Sequence, residues 1–181
     1  HQITLLKAEA NNEKSTQYLE EMEKEIKSYE AQNKTGNKVL DAVLTSKSLY
    51  CQNKGIGFTC VADGTLLDFM AEMDISALFG NILDNAIEST EKIREKEKRL
   101  IHLSVSQQKK FLRIRIENYC EEKIVFKKGI PQTTKKDKRF HGFGMKSIQS
   151  TVKKYGGSVT AGVRDNWFEL RILIPLNKDL A

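Results

Sequence analysis

The sequence predicts an α+β domain in which a mostly antiparallel sheet is covered by helices on one face. Segments with apolar residues at helical spacing precede, separate and follow short segments in which apolar and polar residues alternate. The alternating segments come largely in neighbouring pairs joined by turn residues, which favours antiparallel hairpins. With 181 residues, 39% of them hydrophobic, the chain is long enough for one such domain and an accessory segment.

The N-terminal segment, residues 1–33, is predicted to be helical because it contains neither Gly nor Pro and is rich in Glu, Lys and Gln. Its apolar positions recur at the spacing of a helical hairpin or coiled-coil seam. These positions are Leu19, Met22, Ile26 and Tyr29. A polar linker follows, and we place the second domain at residues 34–181.

Within this second domain the predicted order is helix, strand, helix, two strands, a long loop, helix and two strands. The predicted helices are 39–52, 75–94 and 145–155, and the predicted strands are 58–62, 101–105, 112–116, 158–163 and 168–174. The loop, residues 119–141, has little periodicity. A structureless loop of that length inside a compact domain is uncommon and is usually functional.

Composition excludes several classes of protein. No apolar run reaches the ~20 residues that a membrane-spanning helix needs. Cys51, Cys60 and Cys120 are odd in number and widely spaced, which argues against a disulfide framework or a zinc site and indicates a reducing cytoplasm. The net charge of +6 suits a polyanionic partner. We expect no nucleic-acid partner, because no aromatic interleaving or nucleic-acid motif accompanies the basic residues.

The most informative motif lies in the predicted helix 75–94. Asn81, Asn85 and Glu88 fall at i, i+4 and i+7, so they share one helical face beside an apolar stripe. Carboxamide and carboxylate oxygens on one face can hold a hydrated Mg²⁺ and the phosphates bridged to it. The alternative interpretation is a solvated polar surface.

A second motif, residues 141–148, comes at the end of the long loop and is predicted to open the next helix. Gly142 and Gly144 would let the backbone approach a ligand, and free N–H groups of a first helical turn attract phosphate. A lone Gly-x-Gly is more often an ordinary loop-to-helix transition. Here it follows a lysine-rich loop and the asparagine motif, and that combination favours a phosphate site. The basic residues of the loop are concentrated in one cluster, Lys135, Lys136, Lys138 and Arg139.

Together these motifs resemble the N box and the G2 box of the Bergerat-fold (GHKL) ATPases, the superfamily of gyrase, a heat-shock chaperone, a mismatch-repair ATPase and sensor histidine kinases. Between the two boxes the family has Asp-x-Gly-x-Gly. Here Asn118 stands at the Asp and Cys120 at the first Gly. The peptide-pheromone (quorum-sensing) type of sensor kinase shows such an Asn, and the chain resembles that type. Further matches lie at residues 36–41, 129–135 and 154–157.

The resemblance implies a two-layer Bergerat sandwich that binds ATP and Mg²⁺. Asn85 would bind Mg²⁺ through its amide oxygen, and Asn81 would lie near the phosphates or an attached water, so these two are the expected catalytic residues. Asn118 would accept a hydrogen bond from the adenine amino group, without the charge of the family's Asp. The other implied nucleotide-binding residues are Lys135 in a lid, His141, the backbone of Gly142 and Gly144, and Met145.

The implied function is that of the cytoplasmic catalytic core of a bacterial sensor histidine kinase. It would transfer the γ-phosphoryl group of ATP to a histidine, for relay to the receiver domain of a response regulator. Residues 1–33 would be part of the dimerisation and phosphotransfer hairpin, making a homodimer, and residues 34–181 the ATP-binding domain. Membrane attachment is expected only through a sensor region outside this chain.

The position of the phosphoacceptor is an open alternative. In the family the acceptor histidine is usually followed by Asp or Glu, whereas His1 is followed by Gln2. We therefore expect the acceptor just upstream of His1, and the rival is that His1 is itself the acceptor. Three other functions compete with the kinase. The first is a catalytically weak or inactive nucleotide- or partner-binding dimer module. The second is nucleic-acid binding through residues 135–139, which no motif supports, and the third is an anti-sigma-factor serine kinase, which the long N-terminal helix disfavours.

Overall fold

The structure, a computed structural model, describes residues 2–131 and 138–176, with side chains described for 11–131 and 144–176. The helices are α1 (Gln2–Gln32), α2 (Lys38–Asn53), α3 (Glu72–Glu91) and α4 (Lys138–Lys154). The strands are β1 (Gly57–Ala62), β2 (Leu100–Gln108), β3 (Phe111–Tyr119), β4 (Phe126–Lys127), β5 (Ile130–Pro131), β6 (Ser158–Arg164) and β7 (Trp167–Pro175). Short 3₁₀ turns cover Gly64–Leu67 and Lys96–Lys98.

Five strands form one sheet in the order β1-β2-β3-β7-β6. β1 is parallel to β2, and the other neighbouring pairs are antiparallel. Parallel strands need a long crossover, and here α3 lies within it. The β6–β7 hairpin turns through Asp165 and Asn166, with φ of 51° and 64°, as a two-residue hairpin turn requires. The predicted mostly antiparallel α+β architecture is confirmed.

The core lies between one face of the sheet and helices α2, α3 and α4. Along β3 the side chains of Leu112, Ile114 and Ile116 are buried, while Arg113 and Arg115 between them point to the opposite face. α3 contributes one continuous apolar stripe, which includes Ile75, Leu78, Phe79, Ile82, Leu83, Ala86 and Ile87. Burying this stripe fixes the rotation of α3, so the polar residues beside the stripe lie at the margin of the core.

In the part of the chain that the structure describes, the opposite face of the sheet carries paired charges. Arg115 contacts Glu117 at 3.1 Å and Glu169 at 2.9 Å, and Arg171 contacts Glu169 at 2.7 Å. The Arg115–Glu169 pair joins β3 to β7, and the other two pairs lie within one strand; such pairs stabilise a sheet face modestly.

Helix α1 is long, as predicted, and contacts the rest of the chain at its C-terminal end. The Tyr29 hydroxyl hydrogen-bonds the Gln52 side chain, and Asn33 reaches Ser48 at 3.5 Å. Farther from the domain, the predicted seam residues Leu19 and Met22 are 63% and 41% exposed. Within one chain, this part of the seam is therefore left without cover.

The structure corrects the region between β3 and β6 in two respects. Residues 119–141 are predicted to be a loop, yet β4 and β5 form a small hairpin that turns through Lys128 and Gly129, both with positive φ. Helix α4 begins at Lys138 instead of Met145, so Gly142 and Gly144 lie inside the helix. Glycine weakens a helix interior by about 1 kcal/mol relative to alanine, which is why the pattern indicated a later start; contacts of α4 with α3 override that preference.

Candidate functional site

Asn81 and Asn85, which we call the asparagine row of α3, face helix α4. The Nδ2 of Asn81 donates a hydrogen bond to Ser147 Oγ at 3.1 Å. One turn farther along α3, a Cβ placed on Gly144 would lie 3.2 Å from Asn85 Oδ1. The structure therefore brings the two predicted motifs together, with Asn85 against Gly144.

The same two helices are joined at a second place, which the sequence reasoning missed. Lys154 Nζ lies 2.7 Å from Asp74 Oδ2, and the Tyr155 hydroxyl also donates to this carboxylate. The Ala71 N–H donates to the Tyr155 hydroxyl oxygen at 3.0 Å, and the Phe69 ring packs edge-on against the Tyr155 ring. We call this group the Asp74 clamp. Asp74, near the start of α3, contacts Lys154 at the end of α4, whereas Asn85, farther along α3, faces the earlier residue Gly144. The two helices are therefore antiparallel.

Charge in the Asp74 clamp is mutually stabilising. The hydrogen bonds from Lys154 and then Tyr155 hold the pKa of the Asp74 carboxyl below its usual value. The same carboxylate raises the pKa of Lys154. Both groups are therefore charged at neutral pH, and the clamp holds α4 in register so that Gly144 lies opposite Asn85.

Asn118 lies at the end of β3 and is 2% exposed. Its Nδ2 donates to Ser89 Oγ at 3.2 Å and to the Tyr119 carbonyl oxygen at 3.2 Å. Buried amides are normally satisfied in this way. Both protons of the amide nitrogen are thus used inside the protein, and the polar atom that remains is Oδ1, an acceptor.

Ser89 extends the row on α3. Asn81, Asn85 and Ser89 are spaced four residues apart, so at 1.5 Å per residue the row spans about 12 Å. One end contacts α4 through Ser147, the middle faces Gly144, and the other end contacts Asn118 on β3. No local pattern predicts the contacts of Ser89 and Ser147, because each joins residues far apart in the chain.

Glu88 and Asp84 take different positions on α3. Glu88 is half-buried, whereas Asp84 is exposed and pairs with Lys47 at 2.5 Å on the side that faces α2. Asp84 is thus a carboxylate on the same helix that is engaged away from the asparagine row.

Other predicted residues are placed less directly. Lys135 lies outside the described residues. His141 and Gly142 lie in the first turns of α4, where the structure describes no side chains. The predicted helix start at Met145, which leaves Gly142 and Gly144 before the helix, is wrong. Because only the first four N–H groups of a helix lack partners, Gly144 contributes its missing side chain rather than a free N–H.

The side chain of Met145, predicted to bind nucleotide, packs partly buried against the hydrophobic core. It follows Gly144, on the part of α4 that crosses α3 near Asn85. Its side chain therefore helps to seat the helix.

Cys120 stands where the family's first glycine is expected. It is 4% exposed, and its N–H donates to the Asn166 carbonyl oxygen at 2.8 Å. Burial raises the pKa of its thiol, so the group is neutral. This position therefore fastens the end of β3 to the β6–β7 turn.

None of the helices in the described part of the chain combines the length and the apolar character needed to cross a membrane. A comparison with curated proteins finds no match.

Comparison with solved structures identifies the fold. The catalytic domain of histidine kinase ThkA, in a nucleotide-free form, matches with a TM-score of 0.60 at 18% identity, over 78% of this chain and 95% of that chain. Histidine kinase AdeS of Acinetobacter baumannii matches with a TM-score of 0.53 at 14% identity, over 97% of this chain and 85% of that chain. At these identities the likeness shows the fold, which is the GHKL Bergerat fold of histidine kinase catalytic domains.

The sequence comparison agrees with the structural one. Residues 70–175 match the family model described as the GHKL domain. This range includes α3 with its asparagine row, the end of β3 with Asn118, and α4. It covers more than half of the 181 residues, and the chain belongs to the GHKL family.

Proposed function

We propose that this chain is the catalytic core of a bacterial sensor histidine kinase. The core would bind Mg-ATP along the asparagine row of α3 and transfer the γ-phosphoryl group to a histidine. The main observation behind the proposal is the approach of Gly144 to the Asn85 carboxamide oxygen. It leaves a hard oxygen donor beside a helix position that has no side chain. Phosphoryl transfer needs mainly positioning and charge neutralisation, which such a site supplies.

The donor chemistry at Asn85 fits Mg²⁺. The ion prefers oxygen ligands, keeps several waters and is commonly held by one or two protein oxygens plus substrate phosphates. Oδ1 of Asn85 would be the protein ligand, and Asn81, held by Ser147, would position an attached water or a phosphate oxygen. A bound Mg²⁺ would neutralise charge on the phosphates.

The adenine end of the proposed site is Asn118. Its Oδ1 would accept from the adenine amino group, because its Nδ2 is engaged by Ser89 and Tyr119. Since α3 and α4 are antiparallel, the N-terminal turns of α4 extend from Gly144 toward this end. On that ground we place His141 and Gly142 near the phosphates, Gly142 through its lack of a side chain rather than through a free N–H, with Lys135 as the lid cation.

Residues 1–33 are proposed to be part of the dimerisation and phosphotransfer hairpin, and residues 34–181 the ATP-binding domain. The exposed seam residues Leu19 and Met22 support a homodimer through α1, because a second helix would cover them. The acceptor is proposed to lie upstream of His1, and the phosphoryl group to pass on to a response regulator receiver domain. Asn118 supports a kinase of the peptide-pheromone (quorum-sensing) type. The chain would be its cytoplasmic domain, and the sensor region would lie outside this chain.

Calorimetric titration of ATP, with and without Mg²⁺, tests the binding step. In the presence of Mg²⁺, Asn85→Ala should bind ATP roughly tenfold to a hundredfold more weakly than the wild type. Without Mg²⁺ the two chains should bind ATP alike. Asp84→Ala is the matched control, because it removes a carboxylate from the same helix on the side that pairs with Lys47. Equal Mg²⁺ dependence in Asn85→Ala and the wild type would contradict the assignment.

Incubation with γ-labelled ATP tests the transfer step. A longer chain that includes the upstream histidine should acquire acid-labile phosphate, and this chain alone should not. Stoichiometric label on this chain alone would favour His1 as the acceptor.

A second candidate function is a nucleotide- or partner-binding module without transfer. The observation that favours it is Cys120, a buried residue fastened to Asn166 where the family's first glycine would stand. It predicts binding of Mg-ATP but no phosphorylation of an added complete hairpin at any ATP concentration.

A further inference from the structure

We infer that Ser89 is a positioning residue that sets the base selectivity of the nucleotide site, by occupying the second amide proton of Asn118. The inference rests on the proposed function and deepens it. It concerns a single hydrogen bond, between Asn118 Nδ2 and Ser89 Oγ at 3.2 Å.

A carboxamide carries both a hydrogen-bond donor and an acceptor. As a base contact, Asn118 could therefore bind either a 6-amino or a 6-oxo group, which would weaken selectivity for adenine. A carboxylate can only accept, so it favours a 6-amino group over a 6-oxo group. An asparagine with a free Nδ2 proton could also donate to the 6-oxo group of hypoxanthine or guanine. Selectivity for adenine therefore requires that both Nδ2 protons be occupied elsewhere.

The structure occupies both protons. The Tyr119 carbonyl oxygen, which is only an acceptor, lies 3.2 Å from Nδ2 and fixes which end of the amide faces it. Ser89 Oγ accepts the other proton. With Asn118 only 2% exposed, its side chain has little room to rotate away from these partners.

Ser89 is placed for this by the helix that carries the proposed Mg²⁺ ligand. It follows Asn85 by four residues and lies on the same side of α3. The burial of Ala86 and Thr90 on either side fixes the rotation of the helix at this turn. The metal end and the base end of the site are thus held by one rigid element.

The test compares ATP with inosine triphosphate, in which a 6-oxo group and an N1 proton replace the 6-amino group and the bare N1. The ratio of the two dissociation constants is measured by calorimetry for the wild type, Ser89→Ala and the control Ser76→Ala. Ser76 is an exposed serine on the same helix. Ser89→Ala should lower the preference for ATP by roughly threefold to tenfold, about the worth of one hydrogen bond. Ser76→Ala should leave the ratio unchanged.

Asn118→Asp separates positioning from a general loss of structure. The carboxylate of this variant has no proton to donate, so its preference for ATP should be insensitive to Ser89→Ala. If Ser89→Ala lowers the preference equally in the wild-type chain and in the Asn118→Asp variant, the inference is overturned. It is also overturned if the wild type binds both nucleotides and Ser89→Ala leaves the ratio unchanged.

A ligand-independent readout distinguishes this inference from the proposed function. In NMR spectra of the chain without nucleotide, Ser89→Ala should shift one of the two Asn118 side-chain amide protons, assigned by their loss in Asn118→Asp. No shift of either proton overturns the inference, whatever the chain binds. A wild-type chain that binds neither nucleotide overturns the proposed function and the selectivity role with it.

Discussion

Helices α3 and α4 contact each other in two regions, one held by charged side chains and the other made of an uncharged amide that faces a glycine. At one, the Asp74 carboxylate is engaged by the Lys154 ammonium and the Tyr155 hydroxyl. At the other, the Asn85 carboxamide faces Gly144, which has no side chain. The contrast shows how the helix pair divides its work: the Asp74 clamp holds the helices in register, and the Asn85–Gly144 contact leaves an oxygen donor accessible.

The largest expected effect comes from filling the Asn85–Gly144 contact. Gly144→Ala places a Cβ 3.2 Å from Asn85 Oδ1, so the carboxamide must tilt away. We expect Mg-ATP affinity to fall by roughly tenfold to a hundredfold, measured by calorimetry. The free energy of unfolding should stay within about 1 kcal/mol of the wild type, because alanine is the better helix former.

Gly80→Ala is the matched control for that change. Gly80 also lies in a helix, α3, and a Cβ there would meet nothing within 4 Å. It should gain the same helix propensity and keep wild-type binding. Equal losses of affinity in the two variants would show that the Asn85–Gly144 contact has no special role.

Breaking the Asp74 clamp should change stability more than binding. Tyr155→Phe removes the hydroxyl that donates to Asp74 and accepts from the Ala71 N–H. We expect the free energy of unfolding to fall by about 1 kcal/mol, measured by urea denaturation. Mg-ATP affinity should fall less than in Gly144→Ala; a larger fall would place Tyr155 in the binding site.

The Asp74 clamp also predicts how stability depends on pH. The pKa of Asp74 is lowered by Lys154 and then Tyr155, so its contribution is present above the ordinary carboxyl pKa of about 3.9. It is lost as the pH falls through the lower value of the folded state. Asp74→Asn should therefore be less stable than the wild type at pH 7, and the gap should close in acid. A gap that is constant between pH 7 and pH 2 in urea denaturation would contradict the role given to Asp74.

The smallest effect is expected at the exposed carboxylate of α3. Asp84→Ala removes the 2.5 Å pair with Lys47, and surface pairs contribute little. The free energy of unfolding should change by no more than about 1 kcal/mol, and Mg-ATP affinity should be unchanged. A tenfold loss of affinity would show that the proposed site extends to this side of the helix.

The contrast between the two regions also marks what could be predicted from the sequence. The asparagine row was predictable because helical spacing and one apolar stripe are local patterns, and the strands of the sheet were predictable for the same reason. The start of α4 was not, because Gly142 and Gly144 lower helix propensity and only packing against α3 overrides it. The Asp74 clamp and the Ser89–Asn118 bond join distant parts of the chain, so they leave no periodic trace in the sequence.

Asn85 and Gly144 are proposed to act as one Mg²⁺–phosphate site, and a double-mutant cycle tests this directly. Mg-ATP affinity is measured for the wild type, Asn85→Ala, Gly144→Ala and the double variant. Residues that share one function are not additive, so Gly144→Ala should cost little once the Asn85 carboxamide is gone. Fully additive losses would contradict the proposal.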